Sequence, residues 1–218
     1  MNFEQSWFQL SDESPHIDID DDTDIRFPPK LPKQFIERLT NIGDVVFDPF
    51  AGCGTTLFAA QELGRVGIGI KYEKNRADFI EKRLHTPSKI ICGDSRKMSE
   101  FHIPECSLCF TSHPYMRSFD KENPLTNYHE VGDYENYLRE MQGIFRQVQT
   151  CMKPGGYVLV ETENTYEPGK PMTSLTWDIG RALSDIFLLE RELICCFQEG
   201  DLSTKKVNHS TILVFQCL

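Results

Sequence analysis

No run in this sequence reaches the ~18 uninterrupted apolar residues that a membrane-crossing helix requires, and the N-terminus lacks the basic and apolar stretches of a secretory leader. A cytoplasmic location is expected. Positive charge is also scarce: 23 Lys and Arg stand against 33 Asp and Glu, a formal net charge of −10. Phosphate contacts from Lys and Arg supply most non-specific affinity for a polyanion, so this balance counts against autonomous tight binding to duplex nucleic acid. Part of the excess is local, because Asp18, Asp20, Asp21, Asp22 and Asp24 form one acidic run. That run reads as a solvated leader, residues 1–26, and leaves room for a basic face elsewhere. Cys106 and Cys109 form a C-x-x-C pair, yet no second pair or neighbouring histidine cluster completes a zinc set. The eight cysteines fall mostly in apolar runs and read as reduced core filling, so no metal is expected.

What is present is enough for one domain. A chain of 218 residues that is 39% hydrophobic can bury a full core without disulfides or metals, and residues 27–218 are expected to form it. From about residue 44, short β-rich runs alternate with helical patterns, the signature of a mostly parallel sheet covered by helices on both faces. Seven strands are expected, at 44–48, 66–71, 89–92, 107–111, 157–161, 187–197 and 210–217. Helical patterns lie at 33–40, 55–63, 75–84, 134–152 and 174–184. The final two strands are joined without room for a helix, so they are expected to pair antiparallel. A parallel sheet ending in an antiparallel strand resembles the methyltransferase version of the Rossmann-like fold.

The first strand runs into Asp48-Pro49-Phe50-Ala51-Gly52-Cys53-Gly54-Thr55-Thr56 ahead of a helix. Two glycines between a strand end and a helix start let backbone amides approach a ligand closely, and ligands of open α/β sheets bind at such carboxyl ends. Leu57 occupies the third position of a G-x-G-x-x-G pattern, which disfavours a nicotinamide dinucleotide. The loop instead resembles the D-P-F-x-G-x-G-T-T motif of the DNA amino-methyltransferases. That resemblance implies S-adenosylmethionine as cofactor, with Phe50, Ala51, Gly52 and Gly54 around its methionine part and Asp48 and Thr55 as polar partners. Upstream, the segment from Phe27 through Leu31 to Ile36 resembles the one that closes the methionine pocket in the same family. At the second strand end, Lys71 stands where the family usually carries an acidic residue for the ribose hydroxyls. An ammonium only donates hydrogen bonds, so Glu73 is the alternative acceptor. At the third strand end, Gly93-Asp94 resembles the pair that holds the cofactor adenine, with Asp94 in that role.

The fourth strand ends in Ser112-His113-Pro114-Tyr115, which resembles the S/D/N-P-P-Y motif with His113 in place of the first proline. An exocyclic amine is a poor nucleophile because its lone pair is delocalised into the ring, so acceptors must be aimed at its hydrogens. By resemblance, the Ser112 side chain and the His113 carbonyl are those acceptors, Pro114 stiffens the loop and Tyr115 stacks on the target base. A serine-hydrolase reading of Ser112 with His113 fails, since adjacent side chains on an extended chain point apart. The ending from Val207 to Phe215 resembles the family's H-E-y-i-l-v-F run, with the acidic residue missing and His209 as readily a strand-end structural residue as a functional one.

The resemblance covers about residues 27–215 and implies methylation of an exocyclic amino nitrogen of a base, in DNA more than RNA, at cytosine N4 or adenine N6. No separate target-recognition domain is expected. Residues 116–132, with Arg117, Lys121 and Tyr128, are the long polar segment free to meet substrate, so a specificity partner protein or single-stranded nucleic acid is implied. An RNA base methyltransferase of the same fold is the alternative, as is a non-catalytic subunit carrying Lys71 and His113 as altered motif positions.

Overall fold

The computed structural model describes residues 5–11, 27–198 and 209–218. The acidic run at 18–24 and the start of the ending at 207–208 lie outside these residues. In chain order the elements are β1 (Trp7–Ser11), α1 (Lys30–Leu39), β2 (Val45–Asp48), α2 (Thr55–Glu62), β3 (Val66–Lys71), α3 (Lys74–Glu81) and β4 (Lys89–Cys92). There follow β5 (Cys106–Ser112), α4 (Tyr134–Cys151), β6 (Met152–Thr162), α5 (Leu175–Ser184), β7 (Leu188–Gln198) and β8 (His209–Gln216), with short 3₁₀ turns at Ser95–Glu100 and Pro124–Thr126.

The strands form one sheet of order β1-β7-β8-β6-β5-β2-β3-β4. From β6 to β4 all neighbours are parallel, whereas β8 lies antiparallel between β6 and β7. The expected Rossmann-like methyltransferase architecture is therefore present, with eight strands where the sequence suggested seven. The additional strand is β1, which pairs parallel with β7 from Trp7↔Ile194 to Ser11↔Gln198 and so carries the sheet into the stretch read as a leader. Five residues with alternating exposure give little periodic signal. Phe8 and Leu10 nonetheless pack against the core, with Phe8 edge-on to Phe35 at 6.0 Å.

Strand alternation sorts the core into two layers. Phe47 and Cys109 face the cluster made with Tyr137, Met141, Ile144 and Phe145 of α4. Their neighbours Val46, Leu108 and Phe110 face the opposite side, against Leu31, Phe35 and Ile36 of α1. Because β2, β3 and β4 run outward on one side while β5 and β6 lie on the other, the chain reverses direction across the sheet between β2 and β5. A crevice opens at the carboxyl ends of strands at such a reversal.

Helix α2 lies unusually close to β3, and glycine makes that approach possible. A Cβ at Gly67 would stand 2.8 Å from the Leu57 carbonyl oxygen and 2.9 Å from its Cα, both backbone atoms that cannot turn away. Gly67→Ala is expected to cost about 1–3 kcal/mol, the usual range for overpacking, in urea unfolding. Gly143→Ala in the middle of α4, where nothing lies within 4 Å, is expected to stabilise by up to about 1 kcal/mol. Equal effects of the two changes would show that close packing is not what Gly67 serves.

Candidate active site

The glycine loop begins at Asp48, which is 2% exposed. Asp48 Oδ1 accepts from the backbone N–H of Phe50 at 3.0 Å and from the Thr111 hydroxyl at 2.6 Å. One carboxylate thus holds both the turn out of β2 and the tip of β5, the two strands that flank the crevice. Burial pushes the Asp48 pKa up to about 6, against the pull of these hydrogen bonds and of Lys71. Beyond it, Ala51 N–H donates to the Ile70 carbonyl at 3.0 Å, while Gly52 and Gly54 take positive φ values of 53° and 88°. Gly54 caps α2 without any side-chain hydrogen bond to the first turn. A Cβ added at Gly52 would find only the Phe50 carbonyl, at 3.9 Å, so the loop leaves space on its outer side.

This cradle fits the methionine part of S-adenosylmethionine: an uncapped helix start favours a carboxylate, and the open face at Gly52 admits a chain close to backbone. Thr55 is buried at the helix start and Phe50 is half-buried, 6.5 Å from Phe145. Phe27 lies edge-on to Phe110 at 5.4 Å, bringing the upstream segment against β5. Leu31 is wholly buried in the α1 core cluster.

The two other strand tips carry paired charges. Lys71 at the end of β3 meets Glu73 at 2.6 Å, and Arg76 approaches the same carboxylate at 3.7 Å. Glu73 is thereby held at the start of α3, two residues past the motif position. Asp94 caps the 3₁₀ turn after β4, accepting from the Arg96 backbone N–H at 2.9 Å and from the Arg96 guanidinium at 2.8–3.1 Å. Burial opposes the charge on Asp94, but these bonds hold its carboxyl below the usual range. Arg96 also reaches Glu130 at 3.2 Å and Glu140 at 3.1 Å, so Asp94 belongs to a network that fixes the segment after β5.

Ser112, Pro114 and Tyr115 are half-buried at the tip of β5, whereas His113 is 3% exposed. The His113 ring is turned into the protein, 4.9 Å from the Tyr115 ring, with Nδ1 2.7 Å from the Tyr137 hydroxyl and Nε2 3.2 Å from Thr162 Oγ1. Burial lowers its pKa to about 4, so the ring is neutral at neutral pH. Tyr137 also donates to the Pro114 carbonyl at 2.9 Å. The side chain that departs from the Pro-Pro pattern is therefore built into the core under the motif.

Sequence reasoning missed Glu161. It lies beside Ser112 in the β5–β6 register, is buried, and accepts from the Tyr115 hydroxyl at 3.2 Å. The available signal was a lone acid ending the apolar run Tyr157-Val158-Leu159-Val160. Residues 116–132 are ordered by a bridge between Glu122 and Val131, and Arg117 is held by Asp120 at 2.9 Å and by Glu167 across the crevice rim. Tyr128 is exposed, with φ 63°. Among the described residues, no group of three or more His, Cys, Asp or Glu is arranged to hold a metal, and no helix is long and apolar enough to cross a membrane.

A glycine cradle and a polar tetrapeptide thus stand on adjacent strand tips of a sheet with the strand order of the Rossmann-like methyltransferase fold. The fold is similar to TrmN from Thermus thermophilus, with TM-score 0.62 and 19% identity over 87% of this chain and 49% of that one. It is also similar to an RNA methyltransferase from Salinibacter ruber in complex with S-adenosyl-L-homocysteine, with TM-score 0.50 and 15% identity over 88% and 94% of the two chains. Residues 2–82 match the DNA methylase family model. The type II methyltransferase M.MjaI from Methanocaldococcus jannaschii is 38% identical over 92 residues, 42% of this chain and 30% of that protein. By these matches the chain is similar to DNA methylases over its N-terminal part. The match spans under a third of the length of that curated relative.

Two buried groups give stability opposite pH dependences. His113, lowered from an ordinary 6.5 to about 4, stabilises the fold above pH 6.5 and loses that contribution as pH falls through 4. Asp48, raised from 3.8 to about 6, contributes most below pH 3.8 and loses that contribution as pH rises through 6. At ~1.4 kcal/mol per pKa unit each is worth roughly 3 kcal/mol, and between pH 6.5 and 4 they offset one another. On acidification across that window, Asp48→Asn is expected to lose about 3 kcal/mol more than wild type in urea unfolding, and His113→Asn about 3 kcal/mol less. Parallel pH profiles for all three proteins would refute the assignment.

Proposed function

We propose that the protein transfers a methyl group from S-adenosylmethionine to an exocyclic amino nitrogen of a DNA base, cytosine N4 or adenine N6. The observation that carries this reading is the Asp48 tether, which couples the glycine cradle to the strand bearing Ser112-His113-Pro114-Tyr115. When bound, the cofactor supplies an electrophilic methyl on a sulfonium. The residues of this chain orient the acceptor: Ser112 Oγ and the His113 carbonyl take hydrogen bonds from the target amine, and Tyr115 stacks on the base. The His113 change is compatible with this role, because the acceptor is a backbone carbonyl and the ring is occupied with Tyr137 and Thr162.

Glu73 is the acceptor for the ribose hydroxyls, since Lys71 can only donate and holds Glu73 at the strand tip. Residues 27–218, joined by β1, act as one methyltransferase domain. A DNA substrate calls for a cytoplasmic location, and the net charge of −10 favours DNA that is single-stranded or presented by a partner protein.

Tritium transfer from labelled cofactor tests the reaction. Label is expected in the exocyclic amine of DNA, single strands above duplex, whereas label in RNA alone would establish the alternative substrate. Calorimetry tests the cofactor site: Glu73→Ala is expected to weaken S-adenosylmethionine binding by about 10-fold or more, the worth of charge-assisted hydrogen bonds. Unchanged affinity would remove Glu73 from the site, and no binding by wild type would favour a non-catalytic subunit.

A further inference from the structure

A serine hydroxyl is ambivalent. It carries one proton and two acceptor positions, and nothing in the residue itself decides which of them faces a ligand. For methylation of an amine the choice matters, because a hydroxyl that donates to the amino nitrogen ties up the lone pair that must attack the methyl group. An aspartate or asparagine oxygen at the same position has no such ambiguity. A serine needs a neighbour that accepts its hydrogen bond.

Glu161 meets this need. Its Cα lies opposite that of Ser112 across β5 and β6, and it is 8% exposed. The Tyr115 hydroxyl donates to Oε2 at 3.2 Å, and the Ser112 hydroxyl faces the same carboxylate. Ser210 Oγ on β8 is buried on this side too, facing Glu161 without a hydrogen bond of ordinary geometry. Among the described residues, the titratable groups around the carboxylate are Tyr115 from the loop after β5, Cys195 from β7 and, two residues on, Glu163, whose charge also acts on Tyr115; the adjacent His113 ring is neutral. None of these is a cation at neutral pH. Among the described residues, convergent hydroxyls rather than an ion pair meet the buried acid.

Resting on the function proposed above, we propose that Glu161 is a positioning residue that accepts the hydrogen bond of the Ser112 hydroxyl and so makes Ser112 an obligate hydrogen-bond acceptor toward the target amine. Its donation from Tyr115 sets the plane of the ring that meets the base at the same time. The arrangement works only while Glu161 is ionised, since a protonated carboxyl donates and turns the serine round. Burial raises the Glu161 pKa, which brings that reversal closer to neutral pH.

The test uses the full chain and the DNA on which wild type deposits label. Glu161→Gln keeps size and shape but presents an amide donor to Ser112, and it is expected to lower kcat about 10- to 100-fold, comparable to losing one preorganised polar contact, with KM for DNA changed less than about threefold. Ser112→Asn supplies an acceptor that needs no neighbour. The double variant Ser112→Asn, Glu161→Gln is expected to match Ser112→Asn alone, and a fall of kcat at acid pH is expected in wild type and expected to flatten in Ser112→Asn. A kcat for Glu161→Gln within threefold of wild type, or a double variant reduced by the product of the two single effects, would overturn the proposal. A second measurement is independent of turnover: carboxyl-labelled NMR is expected to show the Glu161 pKa rising in Ser112→Ala, as loss of a donor requires. If wild type labels no nucleic acid, the function reading falls and this titration decides the serine–glutamate pairing alone, an unchanged pKa rejecting it.

Discussion

The site depends on a single buried carboxylate. Asp48 ends β2, turns the chain through the Phe50 amide and bonds the Thr111 hydroxyl on β5. These are the strands between which the sheet reverses direction, so the bond crosses the crevice floor and fixes one wall relative to the other. A neutral side chain could make similar hydrogen bonds with less desolvation. The charge is retained at an energetic cost visible in its raised pKa, and Lys71, which acts on it from β3, partly offsets that cost.

That role for Lys71 changes the meaning of its departure from the family pattern. A cation at the tip of β3 serves Asp48 and Glu73 together, and on the proposed function Glu73, two residues along the chain, would take the place of the carboxylate usually found in the strand. His113 follows the same logic. Exchange of proline for a larger polar residue is accommodated because Tyr137 and Thr162 supply hydrogen-bonding partners inside the core. An isolated substitution at either position would leave a buried group unpaired, which is costly. With their partners present, both read as locally compensated changes.

This compensation also explains what the sequence could and could not reveal. The strands from β2 to β6 were legible because buried parallel strands are near-continuous apolar runs, and β7 and β8 because the connection between them leaves no room for a helix. The cradle was legible because its glycines are consecutive with the strand that presents them. Glu161 was not, since its significance comes from Ser112, 49 positions away, through a register that only the folded sheet creates. Nor was the engagement of Asp94 by Arg96, which depends on a 3₁₀ turn too short to leave a period. Strand β1 escaped because it forms the sheet edge by pairing with β7, near the opposite end of the chain.

Charge around the crevice bears on how a nucleic acid would be held. Arg96 is half-buried and shared among Asp94, Glu130 and Glu140, so recruiting it to a phosphate would strand three carboxylates. Arg117 differs: its pairs with Asp120 and Glu167 are exposed, and such pairs contribute at most about 1 kcal/mol. It can exchange Glu167 for a phosphate at little cost. One readily released cation beside exposed Tyr128 and Tyr166 gives a rim better suited to stacking on unpaired bases than to tracking a duplex backbone. On the proposed function, the acidic balance of the chain and the local chemistry of the crevice would favour the same mode of approach, a base already free of its stack.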